Sequence, residues 1–368
     1  MLTWAHIGDL HASSDDDYLG TARLAEWAAQ ARQQLRGAVD FVFVPGDNAN
    51  NGLPAQYARI VDALDGLDIP IHAIPGDHDR ESGHLNAFAR MPGAGVLPRA
   101  VHADGRRCLF LDVVSAGGGG PDFRLGEAQL AWLADELDAS RSDTHRPAVF
   151  MHAYPSDLAH EGEALGQLFA QAGVAMVDTG HTHYNEVLND GRVIYASTRS
   201  LAQIEEDDGQ PGFSIVTLDG CHVSWRFKRL ASPWPFVTIT APADRRLDTG
   251  CTHVPEVRAK VFGRDIAIVT LAINGQAPQV MDQDEWNATV WSAPLGGFHA
   301  KSGAELVVTA TDTRGNSHAD RIEWLGTHGR ARTMPDAPLG TDAHAVEAWP
   351  GHGLLGTQLG PNKHGRKW

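Results

Sequence analysis

Ala175-Met176-Val177-Asp178-Thr179-Gly180-His181-Thr182-His183 begins as an apolar, strand-like run and ends in a glycine and two histidines two positions apart. In an extended segment residues i and i+2 share a face, so both imidazoles present to one side. The glycine before them permits a tight turn beyond the strand end. Working outward, the same arrangement recurs. Leu2–Ile7 runs into Asp9-Leu10-His11, and Phe41–Val44 into Gly46-Asp47, with Asn50 and Asn51 behind it. Ile71–Ile74 runs into Gly76-Asp77-His78-Asp79, and Ala148–Met151 into His152.

Between these strands, and a further one at Cys108–Val113, the periodicity predicts helices over Leu19–Leu35, Pro54–Leu64, Glu127–Leu137 and Ala164–Ala172. Alternation of this kind is the pattern of an α/β layer fold, whose ligands sit beyond the carboxyl ends of the strands. Clustered carboxylates and histidines on one sheet edge point to bound metal. Mixed imidazole and carboxylate donors suit Mn, Fe, Zn, Co or Ni, whereas Ca and Mg sites carry mostly oxygen.

In this order the clusters resemble the calcineurin-like metallophosphoesterase superfamily, whose pattern runs D-x-H, G-D-x-x-D/N, G-N-H-D/E, H and G-H-x-H. The resemblance covers residues 2 to about 185 in motif and extends to 230 in fold. It implies an α/β (α+β) architecture of four layers, a β-sandwich flanked by helices, holding two divalent transition-metal ions (a mixed Fe/Mn or Fe/Zn pair among the options). One metal would be held by Asp9, His11, Asp47 and His183, the other by Asp47, Asp77, His152 and His181, with Asp47 bridging and Asn50 behind the ligands. The implied reaction is hydrolysis by a metal-bridging hydroxide in line with the leaving oxygen. His78 would steady the transition state or protonate the leaving group, and Asp79 would orient the His78 ring.

Two positions discriminate within the superfamily. Asp77 occupies a slot where the family has asparagine, which adds a negative charge, so the site should hold its metals more tightly and attract a phosphate dianion less strongly. Asn50 stands where purple acid phosphatases carry tyrosine, which argues against that branch. His6-Ile7-x-Asp9-x-His11 and Gly46-Asp47-x-x-Asn50-x-Gly52 are closer in style to class III cyclic-nucleotide phosphodiesterases. The expected activity is therefore a phosphodiesterase on a small substrate such as a cyclic nucleotide. The alternatives are a phosphomonoesterase of the same mechanism, a nuclease, and, from a different class, a non-catalytic metal-binding scaffold acting through its β-sandwich. A formal net charge of −16 speaks against a nucleic-acid surface and so against the nuclease.

The 368 residues suffice for two domains. Strands at Val193–Ser197, Phe213–Leu218 and His222–Leu230 extend the first domain to residue 230, and Ser232-Pro233-Trp234-Pro235 marks a linker over 231–236. Strands at Phe236–Thr240, Ile266–Ile273, Thr289–Trp291, Leu306–Thr311 and Arg321–Trp324, with an Asn274-Gly275 turn, read as an immunoglobulin-like β-sandwich over 237–326. Its expected roles are packing beside the catalytic domain, mediating a homo-oligomer or bordering the cleft. Trp225, Trp234 and Trp286 read as core or interdomain packing. Residues 327–368 lose periodicity and read as an irregular arm, where Trp349, Leu354, Leu355 and Trp368 would favour burial over the body.

Cys108, Cys221 and Cys251 are widely spaced and odd in number, which implies no disulfide framework and favours a reducing compartment. No apolar run is long enough to span a membrane, and Leu2–Ile7 reads as a core strand rather than part of a leader. The expected location is cytoplasmic, with a small phosphoester as partner and no membrane.

Overall fold

The computed structural model describes residues 1–251, 256–296, 303–326 and 334–356. Along the chain come β1 (Leu2–His6), α1 (Leu19–Gln34), β2 (Phe41–Val44), α2 (Pro54–Leu64) and β3 (Ile71–Ala73). Then follow β4 (Arg99–Ala103), β5 (Arg106–Phe110), α3 (Glu127–Ala139), β6 (Ala148–Phe150), α4 (Gly162–Ala172) and β7 (Met176–Thr179). The series continues with β8 (Glu186–Asn189), β9 (Ile194–Ser197), β10 (Gly212–Asp219) and β11 (His222–Arg229). These strands form two mixed sheets, ordered β11-β10-β1-β2-β3 and β4-β5-β6-β7-β9-β8. β1, β2 and β3 run parallel, as do β5, β6, β7 and β9, so their carboxyl ends gather on one edge.

Strict alternation explains the layering. Trp4, Phe41 and Phe43 point inward and meet Phe110 and Phe150 of the opposite sheet, with Phe43 and Phe150 edge to face at 4.8 Å. Ala5, Ile7, Val42 and Val44 point outward, under Leu24 and Trp27 of α1 and Tyr57 and Ile60 of α2. On the other flank Leu109, Val149 and Val177 lie under Leu133 of α3 and Phe169 of α4. The result is helix, sheet, sheet, helix.

The remaining strands are β12 (Phe236–Ala241), β13 (Glu256–Phe262), β14 (Ile266–Ile273), β15 (Gln279–Val280), β16 (Asp282–Gln283), β17 (Val290–Pro294), β18 (Ala304–Asp312) and β19 (Ser317–Trp324). They build two four-stranded antiparallel sheets, β12-β13-β17-β16 and β15-β14-β18-β19. Their buried side chains join the inner core of the first half in one cluster that runs from Val223 and Trp225 to Val237, Ile239 and Val308. Polar ties cross the same boundary. Arg226 Nη1 lies 2.7 Å from Asp320 Oδ1, and Lys260 Nζ donates to Thr3 Oγ1 at 3.0 Å.

In the arm, Trp349 and Leu354 are buried, Val346 N–H donates to the Val187 carbonyl at 3.0 Å, and His352 Nε2 lies 2.9 Å from Asp320 Oδ1. The arm thus covers the β8 edge; Trp368 lies outside the described residues. Two expectations are corrected. Cys221 and Cys251, read as unpaired thiols, form a disulfide with their Cα atoms 5.9 Å apart, so the cysteines lend no support to a reducing compartment. The β10–β11 turn brings Cys221 to the segment after β12, a meeting no spacing rule reveals. Trp286 is not packed but 94% exposed, in the loop between β16 and β17. Among the described residues no helix is long and apolar enough to cross a membrane.

Candidate metal centre

The parallel strand ends deliver Asp9 and His11 after β1, Asp47 after β2, Asp77 after β3, His152 after β6, and His181 and His183 after β7 into one crevice. Ladder-like bonds join the loops there. His11 N–H donates to the Asp47 carbonyl at 2.8 Å, and Ala12 N–H to the Asn48 carbonyl at 3.0 Å. Asp47, His11, His181 and His183 all take positive φ, between 41° and 67°, conformations that an L-residue holds only when its surroundings enforce them. Glycines make the approach feasible. A Cβ on Gly76 would stand 2.2 Å from Asp47 Oδ1, and one on Gly46 would stand 2.3 Å from His152 Nδ1.

Ligand-type atoms of Asp47, Asp77, His152 and His181 lie within 4.8 Å of one another, as do those of Asp9, Asp47 and His183, and those of His11, Asp47 and His78. Asp47 belongs to all three groups. His152 Nδ1 sits 2.8 Å from the Pro45 carbonyl, which accepts the ring N–H and turns Nε2 toward Asp77 Oδ1 at 3.3 Å. His11 is oriented in the same way: Nδ1 faces Asn50 Oδ1 at 3.1 Å, and Nε2 faces His183 Nε2 at 2.8 Å. Asp9 Oδ1 accepts from His181 N–H at 3.0 Å.

Electrostatics and satisfaction both favour a cation. Asp9, Asp47 and Asp77 are buried together, and among the described residues no lysine or arginine pairs with them. Asp9 Oδ2, Asp77 Oδ1 and His152 Nε2 are buried without a hydrogen-bond partner in the protein. Buried charges and polar atoms left in this state are costly unless something fills the space between them. Burial pushes the Asp9 carboxyl above its usual range, a rise His152 opposes and Asp47 reinforces. Burial would also raise Asp47, but His152, His11 and His78 outweigh it and hold that carboxyl well below the usual range. The Asp47, Asp77, His152 and His181 cluster fits a metal site.

Around this cluster the structure makes one correction. Asp79 does not approach the His78 ring. Residues His78–Arg80 form a 3₁₀ turn, in which successive side chains diverge by a third of a turn. Asp79 therefore points inward, accepting from Gly76 N–H (2.9 Å), Ala49 N–H (2.9 Å), Asn48 Nδ2 (2.8 Å) and Tyr57 O–H (2.5 Å). It braces the loop after β3 against the loop after β2. His78 Nδ1 instead faces the Asn50 carbonyl at 2.9 Å and Glu81 Oε1 at 3.0 Å.

Sequence reasoning also passed over Phe123, whose ring stands edge-on to His181 at 4.7 Å and to His152 at 5.7 Å, walling one side of the crevice. No motif signals it. Tyr57 was hidden for the same reason, inside an ordinary amphipathic helix. The Gly117 and Val114 carbonyls accept from Arg80 Nη1, fixing the 3₁₀ turn from its other side.

A family model described as calcineurin-like phosphoesterase matches residues 2–185. A probable cyclic nucleotide phosphodiesterase of Synechococcus sp. is 28% identical over 237 residues, covering 61% of this chain and 90% of that protein. A glycerophosphodiester phosphodiesterase of Enterobacter lignolyticus is 34% identical over 164 residues, covering 42% of this chain and 57% of its own length. Among solved structures, GAP50, the anchor in the inner membrane complex of Plasmodium, superposes with a TM-score of 0.48 at 15% identity, covering 63% of this chain and 85% of that one.

Proposed function

The chain belongs to the calcineurin-like phosphoesterase family, and from that premise we propose that it is a phosphodiesterase acting on a small diester such as a cyclic nucleotide. The observation that carries this reading is the set of three adjoining donor groups that share Asp47 in one crevice. Asp9, His11, Asp47 and His183 would hold one divalent cation, and Asp47, Asp77, His152 and His181 the other. Such ions supply Lewis-acid charge to the phosphoryl oxygens and make hydroxide available from water near neutral pH.

The chain's own residues do the rest. Pro45 and Asn50 fix the ring orientations of His152 and His11, so each presents a lone pair without searching rotamers. Phe123 and the buried strand ends exclude bulk water from the donors. His78, part-exposed at the mouth, is the group placed to give its proton to the departing oxygen as the phosphorus–oxygen bond breaks. The chain is acidic and carries its donors intact, which supports a small substrate and a working enzyme over a nuclease or an inert scaffold.

The test is a screen of purified protein, stripped with chelator and reloaded with Mn, Zn, Fe, Co or Ni, on bis-p-nitrophenyl phosphate, p-nitrophenyl phosphate, cyclic nucleotides and glycerophosphodiesters. The reading expects metal-dependent cleavage of diesters in preference to the monoester. Preference for p-nitrophenyl phosphate would make the protein a phosphomonoesterase, and stoichiometric metal with no cleavage of any substrate would make it a scaffold.

A further inference from the structure

We propose that Glu81, supported by Asn51 and Gln56, is the residue that positions His78 for proton delivery; the inference rests on the reading of His78 given above. A 3₁₀ turn has three residues per turn, so residues i and i+3 eclipse. His78 and Glu81 therefore stack on the same side of the turn, whereas Asp79 is directed into the protein. Glu81 Oε1 reaches His78 Nδ1 at 3.0 Å, beside the Asn50 carbonyl at 2.9 Å. The other carboxylate oxygen is held as well: Asn51 Nδ2 donates to Glu81 Oε2 at 2.7 Å.

Behind Asn51 stands Gln56, which is buried. Its Oε1 accepts from Asn51 N–H and from Leu53 N–H, both at 3.1 Å, and its Nε2 donates to Asn51 Oδ1 at 3.3 Å. A chain of contacts thus runs from the first turn of α2 through Asn51 and Glu81 to the ring. On the far side Arg80 ties the turn to the Val114 and Gly117 carbonyls. With Nδ1–H committed to the Asn50 carbonyl and the Glu81 carboxylate, Nε2 is the nitrogen left for substrate, and the ring cannot flip without breaking both contacts.

In the step this serves, oxygen from hydroxide forms a bond to phosphorus while the bond to the leaving oxygen breaks. The bonding pair stays on that oxygen, which takes the Nε2 proton. The ring is left neutral with Nδ1–H in place, Glu81 stays a carboxylate throughout, and water returns the proton after product departs. Glu81 is a positioning residue and touches no reacting atom.

The experiment measures kcat for a series of aryl methyl phosphates running from p-nitrophenol to phenol as leaving group, with metal content and melting temperature recorded for each protein. Poor leaving groups need the proton and good ones do not. Glu81→Ala is expected to lose about tenfold or more on the phenyl ester and little on the p-nitrophenyl ester, with metal content and melting temperature unchanged. Asn51→Ala should move the same way by less, and His78→Ala should show the steepest dependence of all. If His78→Ala is steep while Glu81→Ala falls uniformly or not at all, the positioning role is overturned and the His78 reading stands. If His78→Ala shows no leaving-group dependence, the His78 reading fails and takes the role of Glu81 with it.

Discussion

Asp77 Oδ1 and His152 Nε2 face each other at 3.3 Å, both buried and neither with a hydrogen-bond partner. A carboxylate oxygen and an imidazole nitrogen so arranged can both donate to one cation. Asp77→Asn keeps an oxygen in that place but removes a negative charge. The variant should remain active, bind its metal more weakly by on the order of tenfold or more, and rank the divalent metals differently. Competitive metal titration with a chromophoric chelator checks this; unchanged affinity and ranking would remove the special status of the aspartate.

The Asp79 carboxylate makes a different claim, one about stability. Four neighbouring groups donate to it at 2.5 to 2.9 Å, and Tyr57 is the one whose removal disturbs least. Tyr57→Phe should cost about 1–2 kcal/mol, whereas Asp79→Ala, which strands the Gly76 and Ala49 amides, should cost about 3 kcal/mol or more. Urea unfolding measures both. Tyr57→Phe should leave kcat near that of the unaltered protein, which separates the brace from the chemistry.

His318 supplies a pH signature away from the metal centre. Val237 N–H donates to its Nδ1 at 3.1 Å, which requires a lone pair on that nitrogen. Burial, with Arg226, Lys228 and His352 nearby, pushes the ring down to about 3 despite the opposing Asp320. Between pH 3 and 6.5 the unfolded chain binds a proton at this residue that the folded chain refuses, so stability falls as pH is lowered through that window. His318→Gln, which keeps an acceptor and does not titrate, should show a shallower loss of stability over pH 6.5 to 4. Parallel slopes for the two proteins would count against the assignment.

The Cys221–Cys251 link predicts a thiol count. Without reductant, denatured protein should react with one equivalent of thiol reagent, at Cys108, and with three after reduction. Closing a 30-residue separation should contribute about 3–4 kcal/mol, so the Cys221→Ser, Cys251→Ser pair should unfold at lower denaturant. Three reactive thiols in the unreduced protein would show that the bond does not form.

Much of the first half was readable because β1, β2, β6 and β7 are short, wholly buried and largely apolar runs. Phe41–Val44 and Pro54–Leu64 fall where the pattern places them. The residues that meet in the crevice were readable too, since each comes within a few positions of a strand end. What escaped depended on charge or on closure. Arg99–Ala103 and Glu256–Phe262 are strands that carry arginine, lysine or glutamate, and Lys260 is buried with its ammonium donating to Thr3 Oγ1. Asp79, expected beside the His78 ring, faces inward instead, because one 3₁₀ turn, invisible to an extended-strand reading, puts Glu81 rather than Asp79 on the side of His78.

The core that continues from Val223 and Trp225 into Val237, Ile239 and Val308 bears on how this protein can be cut. A fragment ending at residue 230 would keep every residue proposed to hold metal yet lay bare the hydrophobic underside of β11 and leave the Arg226 guanidinium without Asp320. Such a fragment should aggregate rather than catalyse. Whatever is grafted onto this enzyme, or removed from it, the all-β half has to travel with the metal crevice as a single inheritance.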